Sequence, residues 1–292
     1  MKIVVKFGGS SLASAEQFKK VADIIHADPH RRFVVPSAPG KRFDGDTKVT
    51  DMLYGCYDLA EAGKDFDGAL ADIKARYDEI IEGLGLDLTL DKEFETIHEQ
   101  FRLKAGRNYA ASRGEYLNGI VLANYLGFEF IDAATVIRFD DAGNFEADRT
   151  DLILSSRLKD VEYAVVPGFY GAQDDGVVTT FSRGGSDITG SIVAKAVHAD
   201  VYENWTDVSG FLVADGSMLT AYNESFEKYN IEDGHFTVIK QMNKAQKKNV
   251  EALGVTLYDL FYVEETLVTN DSTLRIFPDR FDPARRSRRP DG

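Results

Sequence analysis

Cysteine is almost missing from this chain: Cys56 stands alone among 292 residues. A lone thiol excludes an internal disulfide and any cysteine-rich metal cluster. Also missing is any apolar run near the ~18 to 20 residues that a membrane-crossing helix needs, so no membrane partner is expected. The N-terminal stretch Met1 to Gly9 interrupts its short apolar run with Lys6 and two glycines, where a secretory signal would continue to a small-residue cleavage site. A cytoplasmic location is the expectation. Positive charge is in short supply, with 34 Lys and Arg against 48 Asp and Glu and a net charge of −14. Neutralising a phosphate backbone needs a basic surface, so no nucleic-acid partner is expected, although a few cations can still gather around a small anion. The five histidines, His26, His30, His98, His198 and His235, show no ligand spacing, and no protein-held metal site is expected. Repeats and low-complexity tracts are absent until residues 281–292. There Arg285, Arg286, Arg288 and Arg289 read as a disordered basic tail.

What is present is an alternation of short β-branched runs with helical periodicity. Lys2 to Phe7, a Gly-Gly-Ser-Ser turn, a helix over about Ser14 to Ala27 with Phe18, Val21 and Ile25 on one face, and a second run from Arg32 to Pro36 compose a βαβ unit. Such a unit implies parallel strands joined by a right-handed crossover. From Glu61 to Leu126 the pattern is mostly helical, with one packing stripe at Phe66, Leu70, Ile73, Tyr77 and Ile80 and another at Phe94, Ile97 and Phe101. Strands are then read at Phe128 to Ile131, Thr150 to Leu158, Tyr163 to Phe169, Val177 to Phe181 and Asp200 to Asn204, with a helix over about Asp187 to His198. This order specifies a three-layer α/β/α sandwich around a mainly parallel sheet. Ligands in such sheets bind beyond the carboxyl ends of the strands.

Two segments place glycines between a strand and a helix. In Lys6-Phe7-Gly8-Gly9-Ser10-Ser11, glycines allow close backbone approach, the following N–H groups are unpaired, and Lys6 supplies a charge. It matches neither the G-x-x-x-x-G-K-[ST] phosphate loop nor the G-x-G-x-x-G dinucleotide fingerprint, and an ordinary tight turn is the plainer interpretation. In Phe181-Ser182-Arg183-Gly184-Gly185-Ser186-Asp187, Ser186 or Asp187 could cap the next helix. Capping does not explain Arg183, a cation at the wrong end of the helix dipole unless an anion sits there. Two such turns suggest one site for two anionic groups. Ser112-Arg113-Gly114-Glu115 also fits a capping box at a helix start, ahead of Leu117, Ile120 and Val121.

Taken in order, Lys6 to Ala13, Ser37-Ala38-Pro39-Gly40-Lys41-Arg42 with Lys48-Val49-Thr50-Asp51, Ser112 to Glu115, Ser182 to Asp187, and Trp205-Thr206-Asp207-Val208-Ser209-Gly210 resemble the aspartate kinase branch of the amino-acid kinase superfamily. The resemblance implies transfer of the ATP γ-phosphoryl group to the side-chain carboxylate of L-aspartate, giving 4-phospho-L-aspartate. That is the first step toward lysine, threonine and methionine. It implies ATP and Mg2+ as cofactors, L-aspartate and ATP as small-molecule partners, and a homo-oligomer. By the same resemblance, Lys6 stabilises the transferring phosphoryl group, and Gly8, Gly9 and Ser10 form its cradle. Ser37, Thr50 and Glu115 belong to the amino-acid site, with Glu115 facing the ammonium. Arg183 pairs with the α-carboxylate, Ser186 and the catalytic Asp187 lie at the junction with the phosphates, and Thr206 and Asp207 open the nucleotide loop.

These residue types suit the chemistry, because a carboxylate nucleophile with a pKa near ~3.9 is ionised at pH 7 and needs no general base. The remaining difficulty is charge, which lysine, glycine-loop N–H groups and Mg2+ meet. The resemblance implies a kinase domain over 1–280, with an amino-acid half at 1–175 and a nucleotide half at 176–280. After Asp215 the sequence departs from relatives, which place a proline and an arginine where Gly216 and Ser217 stand. The K-V-L-H-P-like segment of relatives is not found between Met218 and Gly292, and two C-terminal ACT domains are not expected to fit in that stretch. Rival expectations are a silent amino-acid-binding protein of the same fold, or a kinase for another amino-acid carboxylate. The stretch from Phe236 to Phe277 is expected to complete the kinase sheet.

Overall fold

The computed structural model describes residues 1–181 and 185–205 and the strand segments 235–236, 263–264 and 273–276. Strand β1 (Ile3–Phe7) leads through a short 3-10 turn (Ser10–Leu12) into helix α1 (Ala15–His26) and β2 (Arg31–Pro36). Four helices follow: α2 (Val49–Glu61), α3 (Asp67–Leu84), α4 (Asp91–Arg102) and α5 (Arg107–Leu126). Next come β3 (Glu129–Phe130), α6 (Ala133–Val136), α7 (Ala147–Leu158) and β4 (Ala164–Val165). The hairpin of β5 (Tyr170–Ala172) and β6 (Val178–Thr180), then α8 (Gly185–Ala196) and β7 (Val201–Trp205), complete the continuous part. Three further strands are β8 (His235–Phe236), β9 (Val263–Glu264) and β10 (Thr273–Ile276).

The main sheet has the order β3-β4-β2-β1-β7-β10-β9-β8. The five strands from β3 to β7 in that order are parallel, and β10, β9 and β8 add antiparallel. In β1, Ile3, Val5 and Phe7 join a core with α1 to α5, whereas Val4 joins a second core with α6 to α8. Successive side chains of a strand point to opposite faces. Helices therefore cover both faces, and β1 reads as a nearly continuous apolar run for that reason. The α/β/α sandwich expected from the sequence is the architecture observed, and both predicted helical stripes are buried.

Several expectations fail locally. Thr150 to Leu158 is helix α7, not a strand. Thr150, Leu154 and Leu158 are buried at helical spacing while Leu152 is exposed, and the local density of leucine and isoleucine masked that period. The run from Tyr163 to Phe169 yields only β4, because Pro167 cannot donate to a ladder and Phe169 turns the chain at φ 79°. The 177–181 segment forms β6, which pairs antiparallel with β5 outside the main sheet. Ser112 to Glu115 lie inside α5, which begins at Arg107, so no capping box forms, and Ser112 Oγ donates to the Tyr109 carbonyl. Likewise α8 begins at Gly185, placing Ser186 and Asp187 within its first turn and not at its cap. The basic tail lies outside the described residues.

Helix α8 packs over the sheet so closely that Gly190 has no space for a side chain. A Cβ there would meet Tyr202 Cζ at 2.6 Å, and the buried Tyr202 ring is tethered by its hydroxyl, which donates to the Asp187 carbonyl at 3.2 Å. Gly190→Ala should cost about 1 to 3 kcal/mol through overpacking, read as a lower urea midpoint at unchanged slope.

Candidate active site at the carboxyl ends of the parallel strands

Phe7, Pro36 and Trp205 lie side by side at the ends of β1, β2 and β7. Three backbone hydrogen bonds tie the segments leaving these strands into one floor. Gly8 N–H donates to the Trp205 carbonyl, Ser37 N–H to the Phe7 carbonyl, and Gly168 N–H to the Pro36 carbonyl, each at 3.1 Å. Above it, Gly40 N–H donates to the Gly9 carbonyl at 2.7 Å. A Cβ on Gly9 would lie 2.7 Å from the Ala38 carbonyl oxygen, and one on Gly40 would lie 2.6 Å from the Gly9 carbonyl carbon. The two loops therefore touch backbone to backbone, a contact open only to glycine.

Lys6 projects from the penultimate position of β1, and its Nζ lies 2.6 Å from Asp187 Oδ1 in the first turn of α8. Both side chains are about nine-tenths buried. The α8 N-terminus carries partial positive charge that favours an acid there. Although close, the lysine is not aligned for a hydrogen bond, and Asp187 Oδ1 has no hydrogen-bond donor among the described residues. Gly168 makes this junction possible, since a Cβ on it would lie 2.6 Å from Ser186 Cβ. Phe169 N–H donates to Thr189 Oγ1 at 3.0 Å, fixing the crossing segment onto α8.

On the other side of the floor, α5 presents Glu115 and Asn118. Asn118 Nδ2 donates to the Ser37 carbonyl at 2.6 Å, so Ser37 is anchored through its backbone. Glu115 is 6% exposed, accepts the Ala38 N–H, and leaves Oε2 buried with no donor among the described residues. Burial pushes its carboxyl up to about 8, against the Ala38 bond and the nearby Arg113, which act the other way. Tyr77, also fully buried, donates to the Gly114 carbonyl at 2.7 Å and is held far above the usual phenol range by burial.

Of the residues singled out in the sequence, Lys6, Gly8, Gly9, Ser10, Ser37, Glu115, Ser186 and Asp187 occupy these strand-end loops and the helix turns beside them. Thr50 is half-buried in the first turn of α2, joined to the floor by the Val49 N–H, which donates to the Pro39 carbonyl at 3.1 Å. Arg183, Thr206 and Asp207 lie outside the described residues. Sequence reasoning missed Arg76, a buried residue of α3. Its guanidinium donates to the Gly40 carbonyl at 2.6 Å and the Thr47 carbonyl at 3.0 Å, and it pairs with Asp46 at 3.1 Å. Arg42 beside Asp46 holds that carboxyl well below the ordinary range. The one signal in the sequence was the position of Arg76 next to Tyr77 on a core stripe. Among the described residues no cluster of three or more acidic, histidine or cysteine side chains could hold a metal.

Residues 1–228 match the amino acid kinase family, and the chain belongs to it. It is 40% identical over 224 residues to aspartokinase 3 of Bacillus subtilis, covering 70% of this chain and 48% of the relative. Among solved structures, aspartate kinase of Clostridium acetobutylicum superposes with a TM-score of 0.69 at 50% identity, over 74% of this chain and 50% of that one. Aspartokinase III of Escherichia coli, in complex with aspartate and ADP, superposes with a TM-score of 0.61 at 27% identity, over 76% and 52% respectively. The chain thus spans about half the length of the relatives it matches.

The raised Glu115 carboxyl makes stability depend on pH. Between the unfolded value of 4.5 and about 8 the folded protein holds a proton that the unfolded chain has released, so stability is greatest below 4.5 and falls as pH rises to about 8. Glu115→Gln keeps the shape and removes the charge. It should stabilise the ligand-free protein by about 2 to 4 kcal/mol at pH 9 relative to the parent. Near pH 5, where Glu115 is already protonated, it should change little. Urea melts at the two pH values decide this, and equal effects at both would refute the buried ionisation.

Proposed function

We propose that the chain is the catalytic portion of an aspartate kinase, transferring the γ-phosphoryl group of ATP to the side-chain carboxylate of L-aspartate as the first step toward lysine, threonine and methionine. The observation that carries this reading is the buried Lys6–Asp187 pair between the end of β1 and the first turn of α8, together with Glu115 on α5, whose Oε2 has no donor among the described residues. Names of relatives agree with it: aspartokinase 3 in Bacillus subtilis, and an aspartokinase bound to aspartate and ADP in Escherichia coli. In this reading residues 1–175 form the amino-acid half, residues 176–280 form the nucleotide half, and the assembly is a cytoplasmic homo-oligomer.

The site residues supply the electrostatics that the reaction needs. Aspartate brings an ionised carboxylate, so no proton has to be removed. One carboxylate oxygen forms a bond to the γ-phosphorus while the bond from that phosphorus to the bridging oxygen breaks, and ADP leaves with the electron pair. Charge grows on the transferring and leaving oxygens. Lys6 and the N–H groups of Gly8, Gly9 and Ser10 meet it with donors fixed before the reaction. Glu115 Oε2, buried with no donor among the described residues, is what an ammonium group would satisfy. Ser37 and Thr50 line the same half, Arg183 takes the α-carboxylate, Ser186 and Asp187 stand at the junction, and Thr206 and Asp207 open the nucleotide loop. Mg2+ would neutralise the β- and γ-phosphate oxygens when bound. Asp187, whose Oδ1 lacks a hydrogen-bond donor among the described residues, fits a cation brought in on the phosphates better than one held by the protein alone.

An ATP- and aspartate-dependent hydroxamate assay tests the activity. Lys6→Ala should lower kcat by about 10² to 10³ and also destabilise the protein, because Asp187 is left buried and unpaired. Adding Asp187→Ala should recover stability in a thermal melt but no activity. Retention of more than half of kcat in Lys6→Ala would reject the role. Aspartate binding without turnover would instead identify a silent amino-acid-binding relative.

A further inference from the structure

Four buried side-chain acceptor oxygens have no hydrogen-bond donor among the described residues: Glu115 Oε2, Asn118 Oδ1, Asp187 Oδ1 and Asn204 Oδ1. Asp187 has the Lys6 ammonium beside it, and Asn204 on β7 pairs in register with Lys6. The other two stand three residues apart on α5, where side chains share one face of a helix. Asn118 is fully buried and Glu115 nearly so. An acceptor left unsatisfied in a dry interior is costly, and two on one helix face call for a common cause.

Both side chains grip the same peptide unit. Asn118 Nδ2 donates to the Ser37 carbonyl at 2.6 Å, and Glu115 accepts the Ala38 N–H. A carbonyl can only accept, so Ser37 fixes which end of the Asn118 amide is nitrogen and leaves Oδ1 free for another donor. Donors nearby are spent elsewhere: Tyr77 Oη on the Gly114 carbonyl and Ser112 Oγ on the Tyr109 carbonyl, each at 2.7 Å. Close packing brings this face of α5 to the strand-end floor. Gly114, one turn before Asn118, would place a Cβ 2.8 Å from Ala38 Cβ and 3.7 Å from Val49 Cγ1 in the first turn of α2, beside Thr50. Gly119, one turn after Glu115, would place a Cβ 2.6 Å from Pro167 Cγ. Pro167 precedes Gly168, the residue that admits Ser186 next to Asp187. The two free oxygens therefore lie on the part of α5 wedged against the segments that leave β2 and β4.

Resting on the aspartate kinase reading above, we propose that Asn118 Oδ1 is the second acceptor for the ammonium group of the amino-acid substrate, beside Glu115 Oε2, and that Asn118 thereby determines specificity for an amine. An ammonium donates three hydrogen bonds and accepts none, so one such group satisfies both oxygens. The amide suits the position, because it adds an acceptor without placing a second negative charge against the buried Glu115. Its two ends then divide the work. The nitrogen holds the loop that carries Ser37, and the oxygen faces the ligand.

Succinate tests this, because it keeps both carboxylates of aspartate and lacks only the amino group. Titration calorimetry on the whole chain should compare aspartate with succinate for the parent, Asn118→Leu and Asn118→Asp. The parent should prefer aspartate. Asn118→Leu should lose about 10- to 100-fold in aspartate affinity, and much less in succinate affinity, which reads only the released Ser37 carbonyl. Asn118→Ala repeats this arm if the leucine variant does not fold. Asn118→Asp keeps an acceptor but cannot donate to Ser37, so both affinities should fall together and the parental preference for aspartate should survive. Equal losses for the two ligands in Asn118→Leu, no loss for aspartate, or a lost preference in Asn118→Asp would overturn the assignment and leave Asn118 as a tether for Ser37. Aspartate-dependent turnover by the parent in the hydroxamate assay would then keep the kinase reading standing. A parent that binds neither ligand and shows no such turnover would overturn both.

Discussion

The ion pair between Lys6 and Asp187 is the interaction on which the rest of the site depends. Lys6 belongs to β1, which sits inside the parallel run of the sheet, and Asp187 belongs to the first turn of α8. Bringing them to 2.6 Å requires the helix to start almost in contact with the segment that leaves β4. A buried pair of this kind is weak support for stability, because desolvation offsets much of the attraction. Its meaning is therefore positional. It sets a cation and an acid at the place where the first glycine turn leaves β1 and α8 begins.

Glycines make that convergence sterically possible, each for a different neighbour. Gly9 and Gly40 let two loops meet backbone to backbone, Gly168 admits Ser186, and Gly185 fits between Phe169 and Phe181. Phe169 takes a left-handed φ of 79°, unusual for a bulky residue, and its N–H is held by Thr189 Oγ1. Strain of this kind persists where the surroundings over-determine the backbone. From the far side, Arg76 reaches across from α3 to the Gly40 carbonyl, so the core of the helical layer is coupled directly to the glycine contact.

Much of this was legible in the sequence, for physical reasons that also explain the misses. The run Ile3 to Phe7 ends at a glycine pair, and a fully buried parallel strand followed by a tight turn leaves few other readings. The stripe from Phe66 to Ile80 repeats at helical spacing because one face alone is buried. In α7 the same principle was hidden, since Leu152 and Ile153 break the apolar face and imitate a strand. Ser112 to Glu115 looked like a helix start because spacing cannot tell whether a helix has already begun, and the preceding Arg107 to Ala111 carries no cap signal. Arg76 was invisible as a site residue: its role is a reach to carbonyl groups 29 and 36 residues away, which no local pattern encodes.

The buried acid on α5 gives the site its energetic character. Glu115 is driven toward its neutral form by burial, and its Oε2 has no donor among the described residues. That arrangement costs stability that a well-packed apolar residue would not. A bound cation that donates to Oε2 removes the cost. The interaction energy then has two effects, since it selects the ligand by charge and stabilises the folded state that binds it. Selectivity of this kind arises mainly from rejection. A ligand with no donor at that position leaves a buried carboxylate oxygen unsatisfied, a penalty that apolar contacts of the same size do not impose.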